Sequence, residues 1–338
     1  EYGLLLRSLA AMDAERAHGL GLAAMEAAYR SGLGPLLASR PRPWPTKAFG
    51  LTFPNPVGLA AGLDKNGAHS DALLSLGFGF VEVGTVTPRP QSGQPRPRLF
   101  RLPKAGALIN RLGFPNDGAT AVARRLAHRR YRGIVGVNIG KNADTPLDAA
   151  TDDYIACLRA VSTVADYIAV NISSPNTASL RELHRPERLE PLLGALLEAR
   201  DTITRQAHRP LPIVLKISPD LGFDALEAVA GIALRIPLDG IIATNTTVQR
   251  SDSMPDDTRS LIGGMSGAPL HGLSLRTVSA LRRLLGPTFP LIGVGGVDSP
   301  AKACAMRAAG ADVVQIDAGL IYRGPTLVPQ CVRALARS

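Results

Sequence analysis

Cysteine, histidine and aromatic residues are scarce in this chain of 338 residues. Its three cysteines, Cys157, Cys304 and Cys331, are far apart and each lies in an apolar helical context. They predict small buried thiols in a reducing compartment rather than a disulfide framework. The six histidines have no metal-ligand spacing. No apolar run could span a bilayer and no signal peptide is recognisable, although the start at Glu1 leaves open whether residues precede it.

Basic residues outnumber acidic ones, 38 to 28, for a net charge of +10. They are scattered, apart from short pairs such as Arg124-Arg125, and they do not interleave with aromatic residues as in single-strand readers. We therefore expect no nucleic-acid partner. With 45% hydrophobic and 4% aromatic residues, the aliphatic balance favours a large core and a parallel sheet wrapped in helices.

Eight β-rich apolar runs alternate with helical patterns and predict a single (β/α)8 TIM barrel over residues 41–338. The runs are 57–62, 80–86, 133–139, 167–172, 212–217, 240–245, 290–294 and 313–317. The helical patterns include 117–130, 148–163, 187–207, 224–235, 274–285 and 299–309. A doubly wound sheet is the alternative, but no Gly-x-Gly-x-x-Gly follows the first run. Two long insertions, at 88–115 and from 247 to about 270, predict loops that cover the catalytic face.

Residues 1–40 predict an N-terminal helical extension that precedes the barrel. Leu5, Leu9 and Met12 recur at helical spacing, and Asp13 can cap a second helix with an apolar face. Basic residues surround this apolar surface, so the two helices could lie in a membrane interface. The alternative is that they pack on the barrel. The proline-rich stretch 40–45 predicts a linker between the two parts.

Polar side chains stand where the predicted strands end, and a barrel enzyme works from those ends. The clearest case is Asn-Ile-Ser-Ser-Pro-Asn-Thr at 171–177, which follows the apolar run 166–170. Asparagine both donates and accepts, so a ring of asparagines suits a planar, amide-rich ligand. Lysines at two strand ends, Lys65 and Lys216, suit an anion, and glycines after the seventh run suit a phosphate. A Schiff-base aldolase using Lys216 remains an alternative at this point, as does a basic binding protein without activity.

Several longer motifs resemble the class 2, quinone-linked dihydroorotate dehydrogenases, and the resemblance covers essentially the whole chain. The motifs are Asn-Pro-Val-Gly-Leu-Ala-Ala-Gly-Leu-Asp-Lys (55–65), Gly-Phe-Gly-Phe-Val-Glu-Val-Gly-Thr-Val-Thr-Pro (77–88), Pro-Arg-Pro-Arg-Leu-Phe-Arg-Leu (95–102), Asn-Arg-Leu-Gly-Phe (110–114), the 171–177 stretch, Thr-Asn-Thr-Thr (244–247) and Gly-Gly-Met-Ser-Gly (263–267). The resemblance implies oxidation of dihydroorotate to orotate in pyrimidine biosynthesis, with FMN as cofactor and a membrane quinone as electron acceptor.

The resemblance also implies residue roles. Ser174 matches the catalytic base, which is a cysteine in the class 1 enzymes that use fumarate or NAD; Thr177 and Phe114 line its proton exit, and Ser173 is the competing serine. Dihydroorotate would be held by Lys65, Asn110, Arg111, Leu112, Gly113, Phe114, Asn171, Asn176, Asn245 and Thr246. FMN would contact Ala61, the adjacent Gly62, Thr85, Asn138, Lys216, Thr244, Ser266, Gly267, Gly295, Gly296 and Ala318. His18, Arg98 and Arg101 match the quinone entrance.

By the same resemblance, we expect a peripheral membrane protein on the cytoplasmic face of a bacterial-type cell membrane, and a monomer. One position departs from the family pattern. Asp317 stands where the family usually has tyrosine, between the FMN phosphate and the quinone tunnel. Because a carboxylate repels a phosphate unless it is protonated, solvated or paired with a cation, we expect weaker FMN retention or altered quinone handling.

Overall fold

The computed structural model describes residues 12–33, 41–250 and 256–337. Its centre is a closed barrel of eight parallel strands, as predicted. A short hairpin, β1 (Thr46–Ala48) and β2 (Leu51–Phe53), precedes the barrel. The barrel strands are β3 (Val57–Leu59), β4 (Phe80–Val86), β7 (Ile134–Ile139), β8 (Tyr167–Asn171), β9 (Ile213–Ile217), β10 (Gly240–Ala243), β12 (Leu291–Val294) and β13 (Val313–Ile316). Each lies within one of the eight predicted runs, and β13 pairs with β3 to close the ring.

Helices cover the barrel because parallel strands need crossover connections that bury the outer face of the sheet. After the N-terminal helix α1 (Ala14–Arg30), the helices are α2 (Ser70–Ser75), α3 (Ala119–Ala127), α4 (Ala150–Val161), α5 (Pro186–Ala207), α6 (Phe223–Arg235), α7 (Asp256–Arg259), α8 (His271–Leu285), α9 (Pro300–Ala308), α10 (Ala318–Arg323) and α11 (Leu327–Leu335). Aliphatic side chains fill the layer between helices and barrel. Inside the barrel, Phe53 from the hairpin packs on Phe80, with ring centroids 4.7 Å apart, which closes the end opposite the strand termini that carry the polar motifs.

The two insertions pair with each other, which the sequence patterns do not predict. The first contributes β5 (Leu99–Leu102) and β6 (Ala107–Asn110), and the second contributes β11 (Gly264–Gly267). The three strands form one antiparallel sheet in the order β11–β6–β5. This sheet stands over the carboxyl ends of the barrel strands, because Thr247, just beyond β10, bridges to Met265.

The second predicted N-terminal helix is present as α1. The Asp13 carboxylate accepts hydrogen bonds from the backbone N–H groups of Glu15 and Arg16 at 3.1 and 3.0 Å, which confirms the predicted cap. Ala17 and Leu22 are buried where α1 packs against α2 and β5. The other helix expected from Leu5 and Leu9 lies outside the described residues. Within the described part of the chain, no helix is long and apolar enough to cross a membrane.

Candidate active site

A cavity of about 900 Å³, including the space at its open mouth, lies between the strand ends and the antiparallel sheet. Most of the sequence-predicted site residues meet in its wall. From the predicted set, it is lined by His18, Ala61, Gly62, Lys65, Thr85, Asn110, Leu112, Gly113, Phe114, Asn171, Ser174, Asn176, Lys216, Asn245, Thr246 and Ser266. Leu63, Leu99, Leu108 and Ile321 make the wall apolar near α1. The cavity therefore has a polar end at the barrel axis and an apolar end against the N-terminal helix.

The two adjacent serines have different environments. Ser174 lines the cavity, and its Oγ accepts a hydrogen bond from the backbone N–H of Asn176 at 3.2 Å. Ser173 is fully buried; its hydroxyl donates to Asn171 Oδ1 at 3.1 Å and accepts from Asn245 Nδ2 at 2.9 Å. Of the two serines, Ser174 is the one that lines the cavity.

Thr177 is buried beside this serine pair and has an unsatisfied hydroxyl. Its side chain is 5% exposed, and its Oγ1 makes no hydrogen bond within the described part of the chain. Because leaving a buried hydroxyl unpaired costs roughly 1–3 kcal/mol, the position favours a water or a ligand atom as its partner.

At the polar end of the cavity, asparagine side chains join the barrel to the overlying sheet. Asn176 Nδ2 donates to Asn110 Oδ1 at 3.0 Å, and Asn110 Nδ2 approaches the Gly264 carbonyl at 3.4 Å. Asn245 Nδ2 donates to Asn171 Oδ1 at 3.1 Å. The four amides thus form two hydrogen-bonded pairs in the cavity wall.

Two cationic residues reach the cavity by different routes. Lys65 follows β3 and donates from Nζ to the Gly62 carbonyl at 2.8 Å. Burial lowers the pKa of Lys65, and the carboxylates of Glu15 and Asp317 oppose that effect. Lys216 lies on β9, and its Nζ is 3.6 Å from the Glu82 carboxylate.

Glu82 contacts residues of the cavity wall, and the sequence patterns did not single it out. It lies in β4 between valines, and its side chain is fully buried beneath the cavity. The available signal was a single carboxylate inside an otherwise apolar strand. Such a group is almost never fully buried without partners.

Arg181 was also missed. Its guanidinium donates to the carbonyls of Ser173 and Thr246, at 3.1 and 3.2 Å, and pairs with Asp220 at 2.9 Å. It therefore holds the chain after β8 against the chain after β10. The sequence offered no signal, because these partners are far apart along the chain.

The glycines after β12 form a cradle of the kind that a phosphate needs. Gly295 and Gly296 have φ values of 133° and 67°. A Cβ at Gly296 would lie 2.8 Å from the Gly267 carbonyl, and one at Gly295 would lie 2.0 Å from Ser274 Oγ. Only glycine permits this close backbone approach. Together with Lys216 and the small residues Ala61 and Gly62, the cradle fits a phosphate-bearing flavin.

Asp317 lies in the cavity wall beside Ser266, the chain neighbour of Gly267. Burial raises the pKa of its carboxyl, whereas the Lys216 and Lys65 charges and hydrogen bonds from Ala318 N–H and the Ser266 side chain oppose that rise. The carboxylate therefore has cationic neighbours, which is one of the conditions under which it can stand near a phosphate.

Several predicted site residues are not part of the cavity wall. The Arg111 guanidinium turns away and donates to the Pro97 carbonyl at 3.1 and 2.9 Å. Arg98 is bound to Glu15, and Arg101 donates to the Met12 carbonyl. Asn138 lies beneath the wall, hydrogen-bonded to Thr85 and Glu82. No cluster of His, Cys, Asp or Glu suited to a metal ion occurs among the described residues.

Comparison with known proteins identifies the family. The family model described as dihydroorotate dehydrogenase matches residues 45–338. The chain is 54% identical over 337 residues to a dihydroorotate dehydrogenase (quinone) from Flavobacterium lutescens, which covers 99% of this chain and 96% of that protein. The chain belongs to the dihydroorotate dehydrogenase family. A relative with the same description from Stenotrophomonas maltophilia strain R551-3 is 53% identical over the same coverage.

Solved structures agree with this assignment. The chain is similar to DHODH from Eimeria tenella in complex with ferulenol, with a TM-score of 0.88, 35% identity, and coverage of 98% of this chain and 94% of that one. A ligand-free form from the same organism gives a TM-score of 0.81 at 36% identity, covering 91% and 92%. The expected TIM barrel and the expected resemblance to the quinone-linked class of this flavin-dependent family are both confirmed.

Proposed function

We propose that this chain oxidises (S)-dihydroorotate to orotate, with FMN as its cofactor, Ser174 as the base and a membrane quinone as the electron acceptor. The observation that carries the proposal is the convergence of Ser174, four asparagine amides and two lysines on a single cavity. The close relatives named for the same quinone-linked activity support it.

The substrate is a ring with alternating N–H and C=O groups and one carboxylate, and it becomes planar when oxidation to orotate creates its carbon–carbon double bond. Asn110, Asn171, Asn176 and Asn245 offer both donors and acceptors to such a ring. Lys65 supplies a positive charge for the carboxylate. Fixed pairing of this kind rejects analogues that lack the matching groups, because buried polar groups of the site would then stay unpaired.

FMN suits the remaining part of the site. When bound, the flavin supplies the acceptor for a hydride from the substrate and passes the electrons on to quinone. Gly295, Gly296 and Gly267 would hold the phosphate through backbone N–H groups. Lys216 would place its positive charge beside the isoalloxazine edge where negative charge develops on reduction.

Ser174 would take the substrate proton as the C–H bond breaks. A serine hydroxyl is a weak base, so the proton must pass on through further hydroxyls or water. Buried Thr177, whose hydroxyl lacks a partner among the described residues, is the candidate for that next step. Ser173 is unsuited to the role because its hydroxyl is already engaged on both sides.

Quinone would reach the flavin from the apolar end of the cavity. His18 of α1 lines that end together with Leu63, Leu99 and Ile321. On the outer surface of the same segment, Leu20 and Leu33 are each 52% exposed. Apolar side chains beside exposed arginines favour binding at a membrane interface. We propose, from the family resemblance, that the protein binds the cytoplasmic face as a monomer.

The visible spectrum of the purified protein tests the proposed activity. We expect a bound flavin that bleaches when dihydroorotate is added without oxygen and recovers its colour with quinone but not with fumarate or NAD. A colourless protein after gentle purification, or a flavin that dihydroorotate leaves oxidised, would contradict the proposal.

Flotation with anionic lipid vesicles tests the membrane part. Leu20→Glu should weaken binding, whereas Leu234→Glu, at a position 57% exposed on α6, should not. Equal binding by the two variants would place the membrane contact elsewhere.

A further inference from the structure

Glu82 lies at the centre of a buried polar cluster beneath the cavity. Three side chains donate hydrogen bonds to its carboxylate: Asn138 Nδ2 to Oε1 at 2.8 Å, Tyr167 Oη to Oε2 at 3.0 Å, and Gln315 Nε2 to Oε2 at 2.8 Å. Lys216 Nζ lies 3.6 Å from Oε1. A carboxylate can only accept, so each of these neighbours must present a donor to it.

Gln315 illustrates how strongly this requirement acts. Its side chain is fully buried, and its Oε1 has no hydrogen-bond partner within the described residues, while its Nε2 faces Glu82. An unpaired buried oxygen is unfavourable by roughly 1–3 kcal/mol. The carboxylate thus orients a neighbouring amide even when that leaves the amide's own oxygen unsatisfied.

The orientation of Asn138 in turn fixes the orientation of the next hydrogen-bonding groups, up to the polar end of the cavity. Because Asn138 turns its nitrogen to Glu82, its oxygen accepts from Thr85 Oγ1 at 2.6 Å. Thr85 has then used its proton, so its oxygen accepts from Asn171 Nδ2 at 2.8 Å. Each link in this hydrogen-bond chain has only one orientation that pairs all its members.

This hydrogen-bond chain ends at Asn171 and Asn245, which line the cavity. With one N–H of Asn171 given to Thr85, its Oδ1 accepts from Asn245 Nδ2 at 3.1 Å. Both hydrogens of Asn245 Nδ2 are then engaged, on Asn171 and Ser173. Asn171 therefore offers its remaining N–H to the cavity. Asn245 offers its oxygen, whose one other donor among the described residues is Thr246 N–H at 2.8 Å.

We propose that Glu82 is a positioning residue: it fixes the donor and acceptor orientation of the Asn138–Thr85–Asn171–Asn245 hydrogen-bond chain and holds the Lys216 ammonium in the cavity wall, where it would lie beside the flavin edge. The inference rests on the proposed function in so far as orotate and a flavin are the ligands. It assigns Asn171 as a donor to a ring carbonyl and Asn245 as an acceptor from a ring N–H.

Two substitutions separate the orienting role from the role of the charge. Glu82→Met removes both carboxylate oxygens. The Asn138 oxygen can then turn to Lys216, which reverses the direction of each hydrogen bond from Asn138 to Asn171. Glu82→Gln removes the charge but keeps an oxygen that accepts from Asn138, so the hydrogen-bond directions stay the same. Gln315 can turn its unpaired oxygen to the new N–H. Tyr167→Phe is the matched control, because it removes one hydrogen bond to the same carboxylate and leaves the hydrogen bonds from Asn138 to Asn245 in place.

Orotate affinity, measured on the flavin-loaded protein from the spectral change on binding, reports the orientation. We expect the dissociation constant to rise about tenfold or more in Glu82→Met, about threefold in Glu82→Gln and less than twofold in Tyr167→Phe. Equal affinity in the parent and a folded Glu82→Met would overturn the orienting role. A parent that binds neither flavin nor orotate would instead overturn the proposed function.

Sulfite affinity reports the charge, because sulfite adds to flavin N5 and leaves negative charge that Lys216 would stabilise. Glu82→Gln removes the opposing carboxylate, so we expect sulfite to bind severalfold more tightly than in the parent, with no change in Tyr167→Phe. This measurement tests the link between Glu82 and Lys216 even if Glu82→Met does not fold. An unchanged sulfite affinity in Glu82→Gln would overturn the assigned link between Glu82 and Lys216.

Discussion

The Glu15 carboxylate of α1 lies 2.7 Å from Nη2 of Arg98 and joins the N-terminal helix to the insertion over the active site. Arg98 is 7% exposed, and its Nη1 also donates to the carbonyls of Ser92 and Gln94. Gln94 in turn donates from its backbone to the Leu112 carbonyl at 2.9 Å. One ion pair thus connects the helix at the apolar end of the cavity with a loop at its substrate end.

Glu15→Gln should loosen α1. The Arg98 and Arg96 guanidiniums hold the pKa of Glu15 at about 2, below its usual range. The ionised carboxylate is therefore stabilised by these arginines, and the same contacts hold α1 against the insertion. We expect trypsin to cleave at Arg16 and Arg30 about tenfold faster in the variant, since charge-assisted bidentate pairs are among the stronger hydrogen bonds. Quinone-dependent turnover should fall with it, while reduction of the flavin by dihydroorotate stays the same.

Glu190→Gln is the control for that experiment. Glu190 pairs with Arg235 at 2.8 Å, but the two side chains are 43% and 58% exposed. Exposed pairs contribute little to stability, so its cleavage pattern should match the parent's. Equal cleavage in Glu15→Gln and the parent would show that the ion pair does not hold α1.

Ser174→Ala should bind FMN and orotate normally yet lose most of the flavin-reduction rate. A positioned general base contributes about 10²–10⁴-fold, and stopped-flow reduction by dihydroorotate measures the loss directly. Ser174→Cys should retain partial activity because a thiol can also accept the proton. A fully active Ser174→Ala would mean that the base lies elsewhere.

His18 should make the docking of α1 sensitive to acid. Burial, aided by the Lys65 charge, lowers the pKa of His18 to about 4 from 6.5. The partly buried ring is therefore neutral in the folded protein, and its stabilising contribution is present above pH 6.5 and lost as the pH falls toward 4. Hydrogen exchange of residues 14–30, corrected for the intrinsic effect of pH, should show protection falling across that window.

His18→Gln should remove this part of the pH dependence, because an amide does not titrate in the window. His128→Gln, at an exposed histidine just after α3, should behave as the parent. If His18→Gln and the parent lose protection in parallel, then another group controls the docking.

Asp317 should weaken FMN binding in a pH-dependent way. Because burial raises the pKa of its carboxyl, acidification protonates Asp317 more readily than an exposed aspartate. Asp317→Asn should therefore bind FMN about tenfold more tightly than the parent at neutral pH, and this difference should shrink as the pH falls. Comparing the two proteins at each pH cancels the titration of the FMN phosphate itself. Asp317→Tyr should also change FMN affinity or quinone turnover, and unchanged values in both would refute the expectation.

The sequence determined the framework of this protein to a large extent. Buried parallel strands require continuous apolar runs, so the eight runs located the barrel strands to within a few residues. Asp13 predicted its helix start because a side-chain cap is a local interaction. The strand-end motifs at 171–177 and 244–247 pointed to the cavity, since the carboxyl ends of barrel strands meet on one face.

Only the tertiary structure decided how those residues divide their roles. Ser173 and Ser174 are adjacent in sequence, and their difference depends on Asn245, which lies on another strand end. Glu82 gains its importance from Asn138, Tyr167 and Gln315, which the barrel closure brings together. The pairing of the two insertions and the Glu15–Arg98 bond join segments separated by many residues. Such contacts depend on side-chain distances in three dimensions, which local propensity and periodicity do not encode.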